Sequence, residues 1–356
     1  MRICIILPSE RPTPSGGFKI VYEYANRMVR DGINVIICYP YHIYIDYNPS
    51  IIQKIKDYRR YIKYKPIPFL SRKWFSLDKR IVEKKLYTLP GSSLPKADKY
   101  IATAVQTAIA LNEYKNIDAN KKFYFIQGYE NWVVDEKRLI KSFHFPIHKI
   151  VVSNWLHNKL LKFGEESDIV LNGFDFNEFK YTTPIEKRDK FTIAMLYHSS
   201  EGKGCIDGII ALFLVKQKYP QIKAKFFGVP ERPSYLPDWV EYYQTPNNKQ
   251  LNDIYNSSSI FIGTSHSEGW GLTVGEASIC GCAIVCTNTD GYLEMITDQQ
   301  TGLVVPIKSP EELAKSTINL IENPSLRYTL SKNGRTSINK YSIEESYFHF
   351  KNILLK

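Results

Sequence analysis

Residues 265–285 read SHSEGWGLTVGEASICGCAIV, and the fold follows from how this stretch is punctuated. Ser265, Glu268 and the glycines Gly269 and Gly271 form a polar, flexible loop. The run from Leu272 to Cys280 is apolar and small, which predicts a helix, and Gly281-Cys282-Ala283-Ile284-Val285 opens a strand. A loop that feeds a helix in this way offers backbone N–H groups and the positive end of a helix dipole to an anion. Glu268 falls in the loop, where it can meet a ligand. Glu276 falls two turns into the helix among Val274, Ala277, Ile279 and Cys280, so its carboxylate is expected to be partly buried and to need partners.

The same alternation extends in both directions. Upstream, Thr192–Leu196, Ala224–Phe227 and Ser259–Ile262 read as strands, and downstream Ala283–Cys286 and Leu303–Val305 continue the series. An earlier cycle runs through Ile3–Leu7, Asn34–Cys38, Tyr100–Thr103, Phe123–Ile126, Lys149–Val152 and Ile169–Leu171, with Phe18, Val21, Tyr22, Ala25, Met28 and Val29 at helical spacing after the first strand. Strands alternating with helices predict an α/β chain of parallel sheets covered on both faces. At 356 residues two domains are expected. The polar, Pro-containing stretch 182–188 separates the two cycles, so the domains are read as residues 1–182 and 183–340. Open parallel sheets bind ligands at the carboxyl ends of their strands, and two such domains facing each other make a deep cleft suited to a transfer reaction.

Bulk properties exclude several classes. No apolar run is long enough to span a bilayer, and the opening MRICIILPSERP lacks a cleavage-site pattern and reads as a first buried strand. The six cysteines are scattered among strands and helices, which fits reduced thiols in a cytoplasmic protein. No histidine or cysteine spacing suits a metal site, and no metal is expected. Net charge is +11, and between Ile51 and Lys85 twelve Lys or Arg stand against three acids, interleaved with Tyr58, Tyr61, Tyr64, Phe69, Trp74 and Phe75. Cations and aromatic rings together suit an anionic lipid surface, and an ordinary solvated helix face is the other reading. Nucleic acid is a third reading of the same patch, but no nucleic-acid motif accompanies it.

Several further residues suit phosphate chemistry. Gly16 and Gly17 follow the first strand, where glycine lets backbone amides approach a phosphate closely. Lys203, in His198-Ser199-Ser200-Glu201-Gly202-Lys203-Gly204, lies between a strand and a helix, where an ammonium can neutralise a departing diphosphate. Gln127 and Glu130, after a strand of the first domain, are candidates for contact with an acceptor hydroxyl.

In these pieces the chain resembles a family, the retaining glycosyltransferases of GT-B fold known as family 4, or glycosyl transferases group 1. Glu268 and Glu276 match its E-x7-E signature. Gly16-Gly17, Asn172-Gly173-Phe174-Asp175, Lys203-Gly204, Asp290-Gly291-Tyr292-Leu293-Glu294 and Thr301-Gly302-Leu303-Val304-Val305 fall where that family has related motifs. The resemblance covers nearly all of the C-terminal half, and in the N-terminal half only the first βα unit and Ser153-Asn154. It implies two Rossmann-like doubly wound domains: an N-terminal acceptor domain, on which a terminal helix within 341–356 packs back, and a C-terminal donor domain. It implies that Glu268 contacts the donor sugar and Glu276 the ribose, that Gly269, Trp270, Gly271, Leu272 and Thr273 present amides to the diphosphate, and that Gly16-Gly17 approach donor and acceptor.

The family usually supplies an arginine several residues before the lysine. Here Tyr197, His198 and two serines occupy those positions, leaving His198 as the candidate second phosphate contact. The implied activity is transfer of a sugar from a nucleotide-diphosphate sugar to a hydroxyl of a glycan or lipid-linked acceptor, with retention and without metal or other cofactor. The setting is synthesis of bacterial-type surface polysaccharide or lipopolysaccharide, in the cytoplasm and at the inner membrane face. A nucleotide-sugar epimerase of the same fold is the alternative, and a DNA-binding or DNA-modifying protein ranks below both.

Overall fold

The computed structural model describes residues 1–45 and 49–356, which divide into two compact units, Met1–Leu171 with Tyr347–Lys356 and Asn172–Ser346. The first unit contains, in chain order, β1 (Arg2–Ile6), α1 (Gly16–Arg30), β2 (Asn34–Ile43), α2 (Ile51–Tyr64), β3 (Val82–Leu89), β4 (Lys99–Ala102), α3 (Val105–Asn112), β5 (Lys122–Ile126), α4 (Glu136–Phe143), β6 (His148–Val151), α5 (Asn154–Leu161) and β7 (Asp168–Ile169). All pairings are parallel, in the order β3-β2-β1-β4-β5-β6-β7. Ile3, Cys4, Ile5 and Ile6 are all buried, the continuous apolar run demanded of a strand covered on both faces.

The second unit contains β8 (Thr192–Leu196), α6 (Cys205–Lys218), β9 (Lys223–Gly228), β10 (Val240–Gln244), α7 (Asn248–Ser257), β11 (Ile260–Gly263), α8 (Leu272–Ile279), β12 (Ala283–Thr287), α9 (Asp290–Leu293), β13 (Leu303–Val305), α10 (Pro310–Glu322), α11 (Pro324–Ile338) and only the start of α12 (Ile343–Leu355), whose remainder belongs to the first unit. Its sheet is also wholly parallel, in the order β10-β9-β8-β11-β12-β13. Ile193, Met195, Ile260, Ile262, Ala283 and Val285 build the centre of its core, against which Leu212, Val215, Leu313 and Leu320 pack from α6 and α10. Proline at the first turn starts both α10 and α11, where its missing N–H costs nothing. In each unit the strand order reverses at one point, between β1 and β4 and between β8 and β11, and there a doubly wound sheet opens a crevice at its carboxyl edge.

The division of the chain differs from the sequence expectation. It falls at Leu171 rather than at residue 182, because Phe174 is tied into the second unit. Its N–H donates to the Tyr341 carbonyl (2.9 Å), its carbonyl accepts from Ile343 N–H (3.0 Å), and its ring fills the space over Gly275. The stretch 182–188 is not a free linker. The Arg188 guanidinium is buried and donates to the carbonyls of Thr183, Tyr255, Ser258 and Cys280, clamping that segment onto the C-terminal ends of α7 and α8. The return crossing lies within α12: Tyr347–Lys356 belongs to the first unit, where the Phe350 ring sits 4.7 Å from Tyr24 and 5.0 Å from Phe125.

Two strands were not anticipated, β3 and β10. Both are sheet edges, and their Glu83, Lys84, Lys85 and Glu241 obscure the apolar signature of a strand. The basic segment 51–85 is accordingly less uniform than its composition suggests. Lys85 is buried in β3 beside Glu10, Arg72 binds Glu83, and Arg80 binds Asp78. Trp74 and Phe75 pack on Tyr22, and Phe69 on Tyr39, rather than facing a partner. Among the described residues no helix is long and apolar enough to cross a membrane.

Candidate functional site

The point where the second sheet reverses order brings two loops together. After β8, the turn Glu201–Lys203 leads into α6 through Gly204, whose φ of +58° and close approach to the Thr264 carbonyl exclude a side chain: a Cβ there would stand 2.1 Å from that oxygen. After β11, Thr264 Oγ1 donates to the Lys203 carbonyl (2.7 Å), and His266 N–H donates to the Gly202 carbonyl (2.9 Å). The His266 ring meets Asp207 of α6 at 2.6 Å, a second tie between the same loops.

This stitching sets the side chains. Lys203 Nζ lies 2.7 Å from Glu268 Oε2, and Ser265 Oγ donates to the same oxygen at 2.9 Å. Tyr292 of α9 donates to Ser265 Oγ at 3.0 Å, and Thr287 Oγ1 holds the Ser265 carbonyl at 2.5 Å. Burial, reinforced by the nearby Glu268 carboxylate, pushes the Tyr292 phenol well up, so it stays protonated and serves as a donor. A chain of hydrogen bonds therefore runs from Tyr292 through Ser265 and Glu268 to the Lys203 ammonium.

The loop then turns through Gly271, φ +99°, and α8 begins with no side-chain cap, so its first-turn amides at Leu272 and Thr273 point out of the helix end. Trp270 is buried beside them, its ring 5.1 Å from Tyr341. Glu276 is 6% exposed, and Tyr255 of α7 donates to its Oε2 at 3.0 Å. Burial first, and then that carboxylate, pushes the Tyr255 phenol well up. His198 is exposed on the loop after β8, where its Nδ1 accepts the Ser200 N–H at 2.9 Å.

Lys203 and Glu268 are thus in direct contact, with Gly269–Thr273 running from them to the start of α8 and Glu276 two turns along it. Ser265, Tyr292, Tyr255 and the His266–Asp207 pair were not singled out from sequence. Ser265 and Tyr292 stood inside quoted motifs, but Tyr255 and Asp207 carry no local signal, since each is defined by what it touches.

In the first unit, Gly16 and Gly17 open α1, again without a side-chain cap, and the Gln127 side chain packs against Gly17. An open pocket of about 550 Å³ lies at the carboxyl edge of this sheet, lined by Pro8, Ile43, Gln106, Asn131, Trp132 and Arg138 among others. Gln106 Oε1, in the pocket lining, and Gln127 Oε1, beside Gly17, are buried without hydrogen-bond partners. Glu130 accepts the Val105 N–H at 2.6 Å, and burial pushes its carboxyl up to about 7. Among the described residues no group of three or more His, Cys, Asp or Glu is arranged to hold a metal ion.

Comparison with known proteins agrees with this architecture. Residues 184–337 match the model of the family described as glycosyl transferases group 1. Over 209 residues the chain is 28% identical to a capsular polysaccharide biosynthesis glycosyltransferase of Staphylococcus aureus, covering 55% of each chain. Over 162 residues it is 26% identical to a poly(glycerol-phosphate) alpha-glucosyltransferase of Bacillus subtilis, covering 43% of this chain and 24% of that one. The chain therefore spans about half the length of the first relative and a quarter of the second.

Among solved structures, sucrose-phosphate synthase from Thermosynechococcus elongatus superposes with a TM-score of 0.75 at 14% identity, over 99% of this chain and 98% of that one. The Anabaena protein HepE, solved with UDP-glucose, gives 0.74 at 15% identity over 100% and 99%. These likenesses establish the fold: two Rossmann-like parallel-sheet domains of GT-B type. Residues 184–337 thus match glycosyl transferases group 1, on a chain of GT-B architecture.

Proposed function

We propose that this chain transfers a sugar from a nucleotide-diphosphate sugar to a hydroxyl of a glycan or lipid-linked acceptor, with retention at the anomeric carbon. The observation that carries the proposal is the Lys203 ammonium held against Glu268 beside the uncapped start of α8. A cation and a row of outward amides at one crevice suit a diphosphate. Glu276, a buried carboxylate two turns along α8 that accepts from Tyr255, is of the residue type that suits the vicinal hydroxyls of a ribose. The S. aureus relative is named for capsular polysaccharide, and HepE was solved with UDP-glucose, which supports surface-glycan synthesis and a uridine nucleotide as first choices.

In the reaction the bond between the anomeric carbon and the phosphate oxygen breaks, and its electron pair leaves on the phosphate. Lys203 and the amides of Leu272 and Thr273 offset that growing charge, with His198 as a further phosphate contact. Glu268 orients the sugar hydroxyls. The acceptor oxygen bonds the same face of the anomeric carbon, and its proton passes to the departing phosphate. The acceptor is assigned to the pocket of the first unit near Gly16, Gly17, Gln127 and Glu130. No metal is required in this reading, and the reaction is assigned to the cytoplasm.

The test is a thermal-shift screen of the purified chain with UDP, GDP, dTDP and ADP, followed by product analysis by NMR. A tight nucleotide raises the melting temperature by mass action. Transfer with an unchanged anomeric configuration, sustained in EDTA, supports the proposal. If no nucleotide shifts the melting temperature, the site is misassigned, and conversion of donor without acceptor favours an epimerase.

A further inference from the structure

Helix α2 carries an apolar stripe on its solvent side. Ile51 is 76% exposed, Ile52 67%, Ile62 53%, and Ile55 and Tyr58 50% each. At 3.6 residues per turn, Ile51, Ile55, Tyr58 and Ile62 fall within an arc of about 60°. A helix of a globular protein normally turns such a stripe to the core. Here the core-facing side is a different one: Asp57 and Tyr61 are buried, Gln53 donates to Asp57 (2.8 Å), and Tyr61 donates to the Lys85 carbonyl (2.9 Å). The helix is thereby anchored through one face while its isoleucines stand in solvent on another.

Cations flank the stripe on both sides. On the helical wheel Lys54 and Lys65 border one edge, and Arg59, followed by Lys63 and Lys56, the other, while Arg60 lies opposite the stripe, 3.9 Å from Asp57; all six are exposed. The only acid within α2, Asp57, is buried. Aliphatic side chains bordered by ammonium and guanidinium groups match a surface that is anionic outside and hydrocarbon just beneath. Nucleic acid would satisfy the cations and leave the isoleucines without a role. A second copy of the chain would cover the isoleucines while opposing like charges.

We propose that the exposed face of α2 is a lipid-docking surface, in which Ile51, Ile55 and Ile62 insert between the headgroups of an anionic membrane and the flanking Lys and Arg hold its phosphates. The remaining aromatic residues of the basic segment take no part, because Tyr61, Phe69, Trp74 and Phe75 are engaged within the unit. This inference stands apart from the proposed transfer reaction, since vesicle binding requires neither donor nor acceptor.

The experiment is co-sedimentation of the full chain with vesicles of phosphatidylcholine alone and of phosphatidylcholine mixed with phosphatidylglycerol, at low and high salt. Binding is expected only to the mixed vesicles and to weaken with salt. Replacing Lys56, Arg59 and Lys63 together by Gln is expected to weaken it about a hundredfold, from about fivefold per cation. Replacing Ile51, Ile55 and Ile62 by Ser, with all charges kept, is expected to weaken it at least about tenfold. Because these positions are exposed, both variants are expected to melt like the parent, which separates loss of docking from loss of fold. Equal binding to both vesicle types, undiminished binding of the serine variant, or no binding at all overturns the proposal. So does a concentration-dependent dimer abolished by the serine changes, which would assign the stripe to a second copy, or oligonucleotide binding without vesicle binding.

Discussion

Lys203 Nζ rests 2.7 Å from Glu268 Oε2, an ion pair between residues 65 positions apart that closes over the crevice between β8 and β11. Ser265 donates to the same oxygen and is itself held by Tyr292, so the ammonium is set in place before any ligand arrives. A charge fixed in advance needs no reorganisation when phosphate charge develops. Lys203→Met is therefore expected to lower kcat about 10²-fold, with a smaller effect on donor KM. Steady-state kinetics with the nucleotide sugar found by the thermal screen provides the check, and unchanged turnover would remove Lys203 from the mechanism.

Glu276 and Tyr255 form the second test. Glu276→Gln is expected to weaken nucleoside diphosphate binding about tenfold, in line with loss of a hydrogen bond to a charged group. The same substitution should leave binding of a 2′,3′-dideoxy nucleotide nearly unchanged. Calorimetry on both nucleotides decides it: an equal loss for the two would mean that Glu276 acts only on the fold.

Gly204 supports Lys203 through the backbone. Ala at this position meets both a left-handed φ and the Thr264 carbonyl, so Gly204→Ala is expected to destabilise the second unit by about 1–3 kcal/mol. Nucleotide affinity should fall with it, because the loop after β8 must shift. A melting temperature equal to that of the parent would contradict the geometry.

The carboxyl of Glu130 carries a pH signature. Burial raises it to about 7 from its ordinary 4.5, so between those values the folded chain holds a proton that the unfolded chain releases. Stability from this group is fully present below about pH 4.5 and is lost as pH rises through about 7, a change of roughly 3 kcal/mol. Glu130→Gln keeps the neutral form at every pH and is expected to flatten that part of the profile. Urea midpoints measured across the interval, parent against variant, test the sign directly.

Phe350 reports on the end of the chain. Its ring lies against Tyr24 and Phe125 in the first unit, and Phe350→Ala is expected to cost about 3–5 kcal/mol there. The loss should appear in the unfolding transition of that unit, and a transition left in place would show that Tyr347–Lys356 is dispensable to it.

Much of the fold was legible because buried parallel strands announce themselves. Phe261-Ile262 and Ile284-Val285 can only be interior, and their spacing with intervening helices restricts the sheet to parallel order. The edges escaped for the converse reason, since β3 and β10 have one side without a neighbouring strand and tolerate charge. The division of the chain escaped as well: a polar stretch with a proline looks like a linker until Arg188 is seen to find four carbonyl partners in the folded chain.

The sequence by itself determined the class of fold, the Gly-rich loop before α8 and the residue types available for phosphate chemistry, because these depend on local periodicity and on glycine. Only the tertiary structure decided which groups meet. Strand order set β8 beside β11, and that adjacency joined Lys203 to Glu268, drew Tyr292 onto Ser265, and left Tyr255 as the partner of Glu276. It also decided which cations of residues 51–85 remain on the surface and which are spent inside. The physical reason is the same throughout: a side chain's partner is chosen by packing across elements distant in sequence, and no local pattern encodes that choice.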